Sequence, residues 1–150
     1  MVSQRVRQFI MENDHFARHL SIELLEVRDG YARARMPLGP EHRNGVGLAH
    51  GGAIFALMDL AFAAAANADG QVALNLNSSI SFLTPGRQGP LFATAQRVHT
   101  TRRIGSYDIR VADAEGTLLA ICQATAYRTG NEVPGTGAAL GGETDAETRD

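Results

Sequence analysis

Between Asn44 and Gly70 the chain reads NGVGLAHGGAIFALMDLAFAAAANADG. The stretch from Ala53 to Ala66 is apolar except for one charge, Asp59. Glycines open it and Asn67-Ala68-Asp69-Gly70 closes it. The pattern predicts a helix from about Gly51, with Gly70 as its C-terminal cap. The run is too short to cross a membrane, which takes ~20 residues. A helix that is apolar nearly all round must be covered on most sides. With one such helix available, the cover expected is a curved antiparallel sheet wrapped around it.

The rest of the chain supplies that sheet. SQRVRQFIMENDHFARHL spaces Val6, Phe9, Ile10 and Phe16 as one sticky face of a helix. SIELLEVRDGYARARMPLG reads as a hairpin turning at Asp29-Gly30, with Ala32, Ala34 and Met36 alternating against Tyr31, Arg33 and Arg35. After the long helix, QVALNLNSSISFLTPG alternates. Val72, Leu74, Leu76, Ile80 and Phe82 fall on one face, expected to be buried, and Asn75, Asn77, Ser79 and Ser81 on the other. Three more strands follow, with turns expected at Ile104-Gly105 and from Asp113 to Gly116. The fold class is therefore α+β: five or six antiparallel strands around one long central helix. Such a sheet leaves a face and edges open, so self-association is expected, edge to edge being one route.

At 150 residues, with 20% charged and 44% hydrophobic residues, the chain fits one globular domain. That domain is expected over residues 1–128. The glycine-rich end, 129–150, reads as a disordered tail. A net charge of -2 provides no basic field for nucleic acid or a membrane surface. The single cysteine, Cys122, and a charged, polar N-terminal stretch point to a cytoplasmic protein. The five histidines have no ligand spacing with cysteines or acids, so no metal is expected.

Two features of the helix carry chemistry. Its first backbone N–H groups lack intrahelical partners, and Gly51 and Gly52 let a ligand oxygen approach them. That arrangement suits a carbonyl becoming an oxyanion, though a glycine pair also simply makes a tight turn. Asp59 lies on a stripe of small residues, Gly52, Ala56, Asp59, Ala63 and Ala66 or Asn67, which leaves room for a ligand or another chain. A carboxylate covered there costs several kcal/mol unless bonded. It is a structural hydrogen-bonding group or a general base. Gly51 and Asp59 lie ~12 Å apart along one helix axis. A reacting carbonyl must lie ~3 Å from both the donor and the attacking group. If both act on one carbonyl, they come from two chains.

NGVGLAHGG followed by Asp59, with SISFLTPG and GSYDIRV downstream, resembles the hotdog-fold acyl-CoA thioesterases, most of all their phenylacetate-degradation subfamily. The resemblance spans about residues 12 to 129. It implies a thioester hydrolase acting on aromatic acyl-CoA, as a homodimer and as a homotetramer of two dimers. It implies roles for Gly51 as oxyanion donor, and for Asp59 of the facing subunit as general base or nucleophile. Asn44 would hold the water or the carbonyl, and His50 would orient the loop or contact the thioester. Ala63 departs from relatives that carry a hydroxyl there. Coenzyme A enters as part of the substrate, and no cofactor is implied. Its thiol is a good leaving group, a cysteine-type thiol having a pKa of ~8.5. Arg102, Arg103 and Arg87 are candidates for its phosphates, with Gly52 admitting it to the helix start. Arg128, which ends the last strand, is a further cation. Phe55, Met58 and Phe62 are core or acyl pocket. The alternative is a non-catalytic acyl-CoA-binding protein of the same fold.

Overall fold

In the computed structural model, which describes residues 1–137, two short helices come first, α1 (Val2–Asn13) and α2 (His15–His19). The hairpin β1 (Glu23–Arg28) and β2 (Tyr31–Met36) follows, then the long helix α3 (Gly51–Asn67). Four strands complete the chain: β3 (Gln71–Phe82), β4 (Leu91–Thr100), β5 (Ile104–Asp113) and β6 (Leu118–Glu132). They form one antiparallel sheet in the order β1-β2-β4-β5-β6-β3. The hairpin turns at Gly30, whose φ of 71° suits a residue without a Cβ.

Alanine explains how the sheet closes around α3. Ala32 and Ala34 of β2, Ala93 and Ala95 of β4, and Ala124 and Ala126 of β6 are at most 1% exposed. These small side chains let the helix lie close to the sheet. The helix inserts Leu57, Met58, Ala61 and Phe62, each larger side chain stabilising the fold by about 1.5–3 kcal/mol through burial. Phe62 meets buried Tyr107 edge to face, with ring centroids 5.3 Å apart. Met58 and Phe62 are thus core, while Phe55 is exposed.

Four expectations are corrected. The first helix is two: Asp14 leaves the helical conformation and its Oδ1 accepts from Ala17 N–H at 2.9 Å, capping α2. Phe16, placed on the sticky face, is consequently exposed. In β3 the apolar residues do not share a buried face. Asn75 and Asn77 pair with the consecutive residues Ala126 and Thr125, so Leu76 is an extra residue that flips the alternation. Leu74, opposite Tyr127, lies on the outer face, and Ile80 and Phe82 lie on the helix side, opposite buried Cys122 and Ala120. Leu74 and Leu76 are exposed on a strand that, among the described residues, pairs only with β6.

The turn between β4 and β5 lies at 101–103, ahead of Ile104-Gly105, which already belong to β5. The ordered chain also continues past residue 128. β6 runs to Glu132, and Val133 and Thr136 are buried. The remainder of the expected tail, 138–150, lies outside the described residues. No helix among the described residues is long and apolar enough to cross a membrane.

Candidate active site

The loop before α3 is held by two side chains that the sequence did not single out. His42 is fully buried: its Nδ1 accepts from Gly39 N–H (3.0 Å), and its Nε2 donates to the Leu20 carbonyl (2.7 Å). With Nδ1 used as an acceptor the ring is neutral, so Glu41, 3.4 Å away, is a neighbour rather than an ion-pair partner. Arg43 donates to the carbonyls of Gly47, Arg87 and Leu38. Between these anchors, Asn44 Oδ1 accepts from the N–H groups of Val46 and Leu48, both at 3.1 Å. Its amide NH2 has no protein acceptor among the described residues.

His50 caps α3. Its Nδ1 accepts from Gly52 N–H at 2.8 Å, and its carbonyl receives Ala53 and Ile54. A Cβ on Gly52 would sit 3.0 Å from that same nitrogen, which gives Gly52 a local reason to lack a side chain. The cap satisfies the second helical N–H and leaves the first, on Gly51, without a protein acceptor among the described residues. Gly51 and Asn44 line one cleft of about 420 Å³, together with Phe82, Thr84, Pro85 and Gly86. Arg87 follows directly, its carbonyl tied to Arg43.

Asp59 is elsewhere. It lies with Gly52, Phe55 and Ala56 in a smaller cleft of about 180 Å³, walled on the other side by Asp14 and Phe16. It is exposed, because the sheet of its own chain leaves this stripe of the helix uncovered. The carboxylate therefore carries no burial cost within the single chain, contrary to the covered position expected. Asn75 Nδ2 donates to Asp59 Oδ1 at 3.3 Å and to Ser78 Oγ at 2.6 Å. Both polar groups reach the helix from β3 because of the bulge at Leu76, and the alternation alone had put Asn75 on the solvent face. Nearby Cys122 is buried. Its burial pushes the thiol up, Ser78 opposes that rise, and the charge of Asp59 adds to it, so the thiol is a poor nucleophile near neutrality.

The structure thus brings Asn44 and Gly51 together, leaves Arg87 just past the cleft with only its carbonyl tied to the loop, and holds Asp59 with Gly52 on a separate face. Arg102 and Arg103 occupy the β4–β5 turn, where the Arg103 carbonyl accepts from Arg128 N–H. Arg128 itself bonds Asp69, just past the far end of α3 (2.8 Å). Arg102 and Arg103 are therefore remote from Gly51 of their own chain. Among the described residues, no group of three or more His, Cys, Asp or Glu side chains is arranged to hold a metal ion.

The two readings of His50 make different predictions. His50→Ala removes the cap acceptor and is expected to cost about 1 kcal/mol, read as a melting temperature lowered by roughly 3 °C. His50→Asn restores a strong capping side chain. If capping is the role of His50, the asparagine variant keeps both stability and activity. Restored stability with lost activity would instead mean direct contact with substrate.

A family model described as the thioesterase superfamily matches residues 46–120. The chain is similar to a putative esterase of Archaeoglobus fulgidus, 34% identical over 134 residues that cover 89% of this chain and 87% of the relative. It is similar to acyl-coenzyme A thioesterase PaaI of Escherichia coli, 35% identical over 125 residues covering 83% and 89%. A solved structure of the E. coli PaaI protein, from the phenylacetic acid degradation operon, superposes with a TM-score of 0.84 at 32% identity, covering 87% of this chain and 96% of that one.

Proposed function

The chain belongs to the thioesterase superfamily, and from that membership we propose that it hydrolyses aromatic acyl-CoA, such as phenylacetyl-CoA or hydroxyphenylacetyl-CoA, at two sites shared across a homodimer. That it is an acyl-CoA thioester hydrolase with the hotdog fold follows from the relatives and the superposition. The finer reading rests on one observation: Gly51 with Asn44, and Asp59, open onto different clefts of the same chain.

In this mechanism the thioester carbonyl oxygen receives hydrogen bonds from Gly51 N–H and the Asn44 amide of one subunit. Asp59 of the facing subunit attacks the carbonyl carbon or takes a proton from the water that does. Asn75 holds the Asp59 carboxylate through Oδ1, leaving Oδ2 for the reaction. Collapse of the tetrahedral intermediate expels the thiolate of coenzyme A, which needs little protonation because a thiol is a far stronger acid than an alcohol; where Asp59 itself attacks, water then cleaves the acyl–Asp59 anhydride to the free acid and restores the carboxylate. The donors are fixed before substrate arrives by His50, His42 and Arg43, so little reorganisation opposes the oxyanion. Two surfaces support the pairing of subunits: the small-residue stripe of α3, and the edge of β3 with its exposed Leu74 and Leu76. Two such dimers would make the tetramer. Arg87, beside the Gly51 cleft, supports a place for the coenzyme A arm of the same subunit, whereas Arg102 and Arg103 could reach it only from the partner.

Free thiol released from a panel of acyl-CoA and acyl-carrier-protein thioesters tests the activity and ranks the acyl groups. Turnover is expected with the CoA esters, highest for the arylacetyl ones. Binding of those esters without thiol release would mean a non-catalytic acyl-CoA-binding protein.

A further inference from the structure

A cleft larger than the one beside Gly51 lies beyond Asp59. It encloses about 520 Å³ between α1, the second half of α3, the start of β3 and the segment after β6. Phe9 and Ile10 of α1, Val72 of β3, and Val133 give it apolar walls, and Ala63 and Asn67 form its floor. Exposed His15 stands at its rim, and the other polar side chains around it are committed locally. Asn67 donates to the Ala63 carbonyl and accepts from Ala73 N–H, Asn13 donates to the Phe9 carbonyl, and Asp14 caps α2. What remains for a ligand to touch is mostly hydrocarbon.

We infer that this cleft receives the far end of the acyl group, which makes α1 the wall that selects acyl length. The inference rests on the thioesterase reading above and adds, beside the single-ring arylacetyl esters, a further substrate class: acyl groups with an apolar body extending past a single ring. Continuity with Asp59 is the argument. Asp14 lines both this cleft and the small one at Asp59. Ala63 and Asn67 continue the stripe that carries Asp59, about 6 and 12 Å further along the axis at the rise of an α-helix. The small cleft, with Phe16 and Phe55 exposed beside the carboxylate, is the ring-sized compartment next to the carbonyl. An acyl group that fills it and is longer has the apolar cleft ahead of it. Alanine at 63 keeps the passage open. The hydroxyl some relatives carry there would put a polar group in its floor.

The test compares kcat/KM for CoA esters of increasing length, straight-chain and ω-phenyl, on the parent protein, Phe9→Trp and Phe9→Ala. The tryptophan narrows the far cleft and the alanine widens it. One methylene in an apolar pocket discriminates by roughly tenfold or more. The long-to-short ratio is therefore expected to fall at least tenfold in Phe9→Trp and to shift toward longer esters in Phe9→Ala. The straight-chain and ω-phenyl arms separate aliphatic from arylalkanoyl substrates. Equal ratios in all three folded proteins, with thioesters still hydrolysed, would overturn the acyl assignment and leave the activity standing. No hydrolysis of any thioester by the parent would remove the activity itself, and the assignment with it. A change in oligomeric state in sedimentation, without a change in selectivity, would assign the cleft to a second copy of the chain and overturn the inference.

Discussion

Asp59→Asn is expected to fold, to self-associate and to lose thioester turnover by about a thousandfold, within the range by which a positioned general base accelerates a reaction. The substitution is nearly isosteric. The residue is exposed, so replacing its charge leaves neither a cavity nor a stranded buried group. The asparagine can still accept from Asn75 Nδ2 through the oxygen that occupies the place of Oδ1. What disappears is the basic oxygen, and neither direct attack nor water activation survives that loss. Because substrate contacts made by Gly51 and Asn44 remain, KM is expected to change far less than kcat. Asn75→Ala tests the supporting bond. It removes only the group that holds the carboxylate, and a loss of about tenfold, with the larger part in kcat, is expected. Steady-state kinetics with free thiol detection, and melting temperatures for each variant, check both. Turnover by Asp59→Asn within tenfold of the parent would take Asp59 out of the mechanism.

The sequence made some of this legible and concealed the rest for identifiable reasons. The central helix could be read because an uninterrupted apolar run, bounded by glycines, has few other folds open to it. The inner face of β2 could be read because Ala32, Ala34 and Met36 alternate without interruption. β3 misled because one extra residue, Leu76, reverses every side chain after it, and nothing local announces a bulge. That reversal concealed Asn75, the polar group that bonds Asp59. His42 was invisible because its partners are backbone groups, one of them 22 residues away in sequence. Asp14 did leave a signal: an Asp three residues before Ala17, at a point where the helical stripe falters, is an N-cap pattern. The HGG and Asp59 spacing was the most informative feature, since helix geometry alone put its two ends out of reach of one carbonyl.

That separation yields the sharpest result to be expected from mixed subunits. Gly51→Pro deletes the proposed oxyanion donor with little other disturbance. Proline is tolerated at the first position of a helix, where its missing N–H has no helical partner. The residue before a proline must be extended, and His50 already has φ -66° and ψ 134°. A Cβ at position 51 would reach only ordinary contact with the Phe82 ring, at 3.4 Å. Alone, Gly51→Pro is expected to lose turnover by about a hundredfold or more, as when an oxyanion donor is removed. Asp59→Ala alone is expected to be at least as impaired. If each site joins Gly51 of one chain to Asp59 of the other, a mixed dimer has one site with both groups intact and one with neither. Equal mixing, with half of the dimers mixed, should then recover about one quarter of the parent activity, since a two-fold dimer carries two equivalent sites. If each site were built within one chain, every site in the mixture would be broken and nothing would be recovered. Subunit exchange must be verified independently, by mass spectrometry of differently tagged chains. Exchange without recovery would place both groups, or neither, in a site of a single chain.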